Sequence, residues 1–133
     1  MHIDARHLQQ LAEAARGLRG CAACAPLKAP GWESLPAGFD TRLLHCVGTL
    51  RAPASDRADA GAPPDEPTWQ EYHPQGTRTD SPRAPIAPAF HPCNRSDLHA
   101  CKACGKLFLR YTEGGGYYVD ARVRELNPDL IAP

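Results

Sequence analysis
The apolar residues near the start of the chain recur at helical spacing. Leu8, Leu11, Ala15 and Leu18 follow one another every three or four positions, which places them on one helical face. Asp4 is placed to cap the first turn, and Ile3 and Leu8 to close a hydrophobic staple across it. Gln9, Gln10, Glu13 and Arg16 lie mostly off the stripe. Arg16 and Arg19 fall where cations suit the helix dipole, and Gly20 is a natural stop. The pattern predicts a helix over residues 4–19 that packs one face on a small core.

From Leu107 onward the period shortens to two. Leu107, Leu109 and Tyr111 share one face of a predicted strand, and Phe108 and Arg110 share the other. On the returning strand Tyr117, Val119, Ala121 and Val123 alternate with Tyr118, Asp120 and Arg122. Thr112 to Gly116 is the turn between them. Its three glycines lack the Lys-Ser/Thr that follows in a phosphate loop, so they read as a wide hairpin turn. Asn127-Pro128 ends the element, and Leu130 and Ile131 are expected to tuck a short tail onto the core.

The middle of the chain is less regular. A loop marked by Pro26, Pro30, Gly31 and Pro36 is expected to fold Trp32 and Leu35 back onto apolar surface. Asp40 is placed to cap one helical turn over residues 41–44. The apolar run from Leu43 to Leu50, broken by Gly48, reads as a buried strand or an irregular core segment. Adjacent strand residues point to opposite faces, so His45 and Cys46 read as a partly buried histidine and a core cysteine, not a catalytic couple. Residues 51–68 hold no bulky hydrophobe and read as a flexible loop; Trp69 and Tyr72 restart ordered structure. Pro82, Pro85, Pro88 and Pro92 then predict an extended strap anchored by Ile86 and Phe90.

Composition limits the core. The 133 residues include 14 prolines and 11 glycines but only 3 phenylalanines and 1 methionine. A single domain over residues 1–133 is expected, with a modest core. Fifteen Lys and Arg balance fifteen Asp and Glu, which removes the plainest signature of a nucleic-acid binder. The first residues carry no basic and apolar leader, and no apolar run approaches the roughly 18–20 residues that cross a bilayer. A cytoplasmic protein is expected.

The cysteines supply what the core lacks. Four of the six form two C-x-x-C pairs, Cys21/Cys24 and Cys101/Cys104. In a reducing compartment that spacing reads as metal binding before it reads as disulfides. Zinc takes four thiolates in a tetrahedron, and each pair spans two vertices through one tight turn. Lys102 and Lys106 would offset part of the net negative charge of such a unit. Residues 25–100 separate the two pairs, and closure entropy grows only slowly with such an insertion. A rival set joins Cys93 to Cys101 and Cys104 with His91 or His99 as the fourth ligand. Iron occupies similar tetrathiolate sites, so the spacing leaves zinc and iron both open.

Catalytic machinery is hard to assemble from this sequence. The H-x-E and P-C-x-x-C elements of zinc deaminases are missing, as are H-E-x-x-H, G-x-S-x-G and a dinucleotide fingerprint. A closed four-thiolate shell also leaves no position for water or substrate. Cys93, if not a ligand, is the candidate reactive thiol, although it reads first as an inert half-buried cysteine. Arg110 and Arg122 beside Tyr117 and Tyr118 form a candidate partner surface, since cations and aromatics on one sheet hold single strands or proteins. Residues 91–133 carry six Lys and Arg against five Asp and Glu, which gives little phosphate affinity.

From Cys101 to Tyr118 the chain resembles zinc-ribbon proteins with a rubredoxin-type knuckle. The resemblance implies an α+β fold: an N-terminal helix plus a small antiparallel sheet of zinc-ribbon type, with much irregular proline-rich structure. A longer string is similar to a group of small bacterial proteins and implies no activity. It runs from Glu71-Tyr72-His73-Pro74 through Ser81-Pro82-Arg83-Ala84-Pro85-Ile86-Ala87-Pro88 to the segment from Phe108 to Tyr118. Three functions follow as expectations. The first is a structural Zn(Cys)₄ protein that binds another protein, for example of immunity or antitoxin type. The second is a nucleic-acid-binding ribbon, and the third a thiol or metal-dependent enzyme.

Overall fold
The computed structural model describes residues 2–51, 83–88, 92–114 and 119–131. The expected loop at 51–68 lies outside these residues but for Arg51. Trp69, Tyr72, Pro82, Phe90, His91, Tyr117 and Tyr118 also lie outside them.

Helix α1 spans Ala5–Ala14. Asp4 caps it as the sequence requires, its carboxylate accepting from the His7 N–H at 2.8 Å. Ile3 and Leu8 are both buried in one core cluster, which completes the staple. Asp4→Ala is expected to cost about 1 kcal/mol. Urea unfolding of the metal-loaded chain checks it, and an unchanged midpoint would mean that the core alone holds the helix start.

The helix stops earlier than its pattern predicts. The N–H groups of Arg16 and Leu18 bond back only three residues, to Glu13 and Ala15, and Gly17 takes a φ of +94°. Gly17, not Gly20, is therefore the first left-handed position. Leu18 leaves the core stripe and is exposed. Arg16 serves the tail instead of the helix dipole: it ion-pairs with Glu13 and with Asp129, each at 2.9 Å.

Among the described residues five antiparallel strands form one sheet. They are β1 (Glu33–Ser34), β2 (Leu44–Thr49), β3 (Asp97–Cys101), β4 (Leu107–Gly114) and β5 (Val119–Glu125), in spatial order β1-β5-β4-β3-β2. Alternation on β4 holds. Leu107, Leu109 and Tyr111 join the cluster that receives α1, and Phe108 joins a second cluster on the opposite face. Register extends both faces: Leu98 pairs with Leu109 and Ala100 with Leu107 on the helix side. The segment from Cys24 to Phe39 covers the other side through Leu27, Ala29, Leu35 and Phe39. The sheet is thus buried on both faces, as a protein with a small aromatic content needs in order to remove enough apolar area from water.

Two strands are absent from the sequence expectation. Glu33–Ser34, read as part of a loop, pairs with Val123 and Arg122 as an edge strand. Asp97–Cys101 fills the space between β2 and β4. The knuckle Cys101 to Lys106 is therefore the turn joining β3 to β4, while the β4–β5 hairpin follows it. Asp40 caps a turn of 3₁₀ helix over Thr41–Leu43, accepting from the Arg42 N–H at 2.9 Å.

Trp32 is buried and meets Tyr111 edge to face, with ring centroids 4.7 Å apart. The described part of the strap is anchored by Ile86, which is fully buried and donates its N–H to the Leu130 carbonyl at 2.8 Å. That bond also fixes the tail. His45 and Cys46 correct their expectation: both are exposed. They lie on the sheet's edge strand, where the register shifts between Cys46 and Gly48, and among the described residues neither joins a core cluster.

Candidate metal centre
Each pair of thiols is set by a short turn that ends or begins at a left-handed glycine. In the first, Gly20 has φ +92° and leads into Cys21, whose N–H points at the Cys24 sulfur at 3.3 Å. The Leu27 N–H bonds the Cys24 carbonyl at 2.9 Å and closes the turn. In the second, the Gly105 N–H bonds the Cys101 carbonyl at 2.8 Å, and Cys101 N–H bonds the Lys106 carbonyl at 2.9 Å. Gly105 has φ +84°, which only glycine adopts without strain. Lys102 donates its N–H to the Leu43 carbonyl, so the 3₁₀ turn leading into β2 steadies the same turn.

The sheet brings the two turns together. Cys101 is the last residue of β3, and Cys24 packs with it, Phe108 and Val123 in the second core cluster. Cys21 Sγ lies 3.7 Å from Cys101 Sγ, Cys24 Sγ 3.7 Å from Cys104 Sγ, and Cys21 Sγ 4.0 Å from Cys24 Sγ. All four sulfurs lie within 4.8 Å of one another. A metal with bonds of about 2.3 Å to four tetrahedral thiolates needs sulfur–sulfur edges of about 3.8 Å. The sulfurs therefore already stand close to the vertices such an ion requires, and the donor set fits a soft or borderline divalent cation. Cys24 and Cys101 are buried; Cys21 and Cys104 are partly exposed.

The sulfurs have unequal surroundings. The N–H groups of Cys24 and Ala23 stabilise the Cys21 thiolate and hold that thiol down to about 7. Burial raises the Cys24 thiol. Loss of water, reinforced by three neighbouring sulfurs, pushes Cys104 up to about 12. Lys106 stands beside the cluster. Its ammonium and the Cys24 sulfur both lie within 3.7 Å of the point where a Gly20 Cβ would sit. It also ion-pairs with Glu125 at 3.0 Å and lies over the Phe108 ring.

That crowding makes Gly20→Ala informative. The added Cβ would meet the Cys24 sulfur at 3.2 Å in a left-handed backbone, whereas at Gly38, with φ +81°, it would meet open space. Both changes carry the left-handed penalty of about 1–2 kcal/mol. Gly20→Ala alone is expected to speed loss of metal to a chelator as well; equal rates in the two variants would show that the turn tolerates the methyl group.

The rival ligands stand elsewhere. Cys93 is buried in the helix-side core, and burial pushes its thiol up to about 11, against a smaller pull from Arg124. A buried thiol of that kind is inert, not reactive. His99 sits on β3 with Nδ1 buried and without a hydrogen-bond partner. Burial, then Arg110 and His45, lower its pKa, while Asp97 opposes them. Among the described residues the metal-holding group comprises Cys21, Cys24, Cys101 and Cys104. His91 lies outside the described residues.

The candidate partner residues divide between the two faces of the hairpin. Arg110 pairs in register with Val123, and Tyr111 with Arg122, so the two arginines point to opposite sides. Arg122 is ion-paired with Asp120 at 3.1 Å. The sequence reading missed Lys106–Glu125 as a support of the site. Alternation on β4 places Phe108 on its face, but it carries no register with β5, and register is what sets Glu125 opposite Phe108.

Comparisons with protein-family models, with curated proteins and with solved structures found no match to this chain.

Proposed function
We propose that this is a small cytoplasmic binding module held closed by one structural Zn²⁺ on Cys21, Cys24, Cys101 and Cys104, and that it acts by binding another protein. The convergence of four sulfurs within 4.8 Å, from turns 80 positions apart, carries the reading. Four protein thiolates complete a tetrahedral shell, so the ion's work is to fix the fold and not to activate water. Structural zinc contributes on the order of 10 kcal/mol or more in small zinc-folded peptides. The exposed ion pairs here are screened by water and add little beside it. The clasp therefore dominates the energetics that join the N-terminal segment to the sheet.

A protein partner suits the described surface better than a phosphate backbone does. Arg16, Arg42, Arg51, Lys106 and Arg122 are each paired with a carboxylate. Breaking those pairs would offset what phosphate contacts contribute. Val119, 76% exposed, opens the returning strand of the hairpin and offers an apolar contact on the face opposite Asp120 and Arg122. Elemental analysis of the purified chain tests the metal: one zinc per chain is expected, and iron or no metal overturns that part. Titration against single- and double-stranded nucleic acid at low salt should show no binding. Tight, salt-sensitive binding would replace the protein-partner reading with the nucleic-acid one. Recovery of one protein from the native host by the wild type, but not by Val119→Asp, would locate the contact.

A further inference from the structure
We propose that the four-sulfur cluster is also a redox clasp, which a two-electron oxidant closes into two bridges between the knuckles, Cys21–Cys101 and Cys24–Cys104. This role goes beyond the metal-site reading and rests on the sulfur geometry alone. Two sulfur pairs that cross from one knuckle to the other stand at 3.7 Å, while Cys21 and Cys24 within one knuckle stand at 4.0 Å. Both crossing bridges can form together, because each sulfur belongs to one of the two close pairs. Each also couples a partly exposed sulfur with a buried one: Cys21 with Cys101, and Cys104 with Cys24. An oxidant thus meets one sulfur of each pair first, and the other is already beside it.

With hydrogen peroxide the step balances. The Cys21 sulfur attacks one peroxide oxygen, the O–O bond breaks, and water leaves as a sulfenic acid forms. The Cys101 sulfur then attacks Cys21, an S–S bond of about 2.05 Å forms, and a second water leaves. Cys104 and Cys24 repeat the sequence. Four electrons pass to two peroxides. From four thiols the products are two disulfides and four waters; from four metal-bound thiolates, four protons are taken up and the divalent ion is released.

The consequence is specific to the crossing pattern. Bridges within the knuckles would leave the two cysteine turns unlinked once the metal left. Bridges between them join positions 80 apart and keep the two turns tied together. The chain would exchange a metal clasp for a covalent one without opening.

The test uses the whole wild-type chain as purified, treated with hydrogen peroxide, then alkylated and digested without reduction. Mass spectrometry should find Cys21–Cys101 and Cys24–Cys104 peptide pairs. A zinc-sensitive dye should report release of one ion per chain, and the oxidised chain should resist protease as well as the untreated one. Cys21–Cys24 and Cys101–Cys104 bridges, higher oxides without bridges, or a protease-sensitive product would each overturn the proposal. Crossing bridges in a chain that releases no metal would leave it standing and remove the zinc reading, so the two fail separately. A Cys46→Ser/Cys93→Ser background excludes exchange with the remaining thiols; different pairs there would also overturn it.

Discussion
Cys101→Ser is expected to abolish tight metal binding, from one ion per chain to less than a tenth, and to lower stability by more than about 4 kcal/mol. Cys101 is 1% exposed, ends β3 and packs against Phe108 and Val123, so no water can replace its sulfur without disturbing the sheet. Serine keeps the shape but supplies a poor ligand for a soft or borderline ion. Elemental analysis and urea unfolding measure the two effects. Cys46→Ser, at the exposed edge, should leave both unchanged. Cys93→Ser should cost about 1–3 kcal/mol through a buried hydroxyl, with the metal retained. Metal loss in Cys93→Ser but not in Cys21→Ser would restore the rival ligand set.

Acid should release the metal from the wild type, and the sign follows from the thiols. Metal and protons compete for the same sulfurs. Cys24 is raised by burial and Cys104 is pushed up to about 12, so in the metal-free chain both hold protons at neutral pH. Binding displaces those two protons, and apparent affinity therefore rises with pH, by about a hundredfold per unit from this pair. Competition with a chelator of known pH dependence between pH 6 and 8 would measure the slope. A flat profile would mean that the thiolates are preformed.

Arg124→Met is expected to destabilise the fold by about 2–4 kcal/mol while leaving metal content intact. Arg124 is fully buried, and its guanidinium reaches two irregular segments: Nε donates to the Pro30 carbonyl at 3.3 Å and Nη2 to the Ala84 carbonyl. Nη1 has no partner. Burial lowers the group's pKa, and its electrostatic partner among the described residues is the Cys93 thiol, not a carboxylate. An arginine stays charged even so, which makes the position costly. It is offset by what the fork holds: the segment before β1 and the strap carrying Ile86. Methionine fills similar volume but strands both carbonyls, at about 1–3 kcal/mol each. Urea unfolding of the loaded protein decides the balance. A variant as stable as the wild type would show that relief of the buried charge equals the lost hydrogen bonds.

Much of the site is legible in the sequence. C-x-x-C spacing, a following glycine and a helical stripe after Asp4 concern neighbours three to five positions apart, where chain geometry leaves few choices. The cap at Asp4, the turn at Asp40 and the alternation of β4 follow from the same short range. The end of α1 is not legible, because the stripe continues past Gly17 while the chain has to turn to bring Cys21 beneath β3.

What the sequence determined by itself is thus local: which residues form knuckles, which cap, and which strand faces are apolar. Tertiary structure alone decided that Arg124 is buried although it shares strand parity with Asp120 and Arg122. It also decided that Cys46 is exposed although it lies in an apolar run, and that Cys93 belongs to the core and not to the metal-holding group. The physical reason is that burial depends on what crosses above a residue. Pro30 and the strap at Ala84 cross over Arg124, and no described segment packs over the edge at Cys46. No spacing within either strand records those crossings.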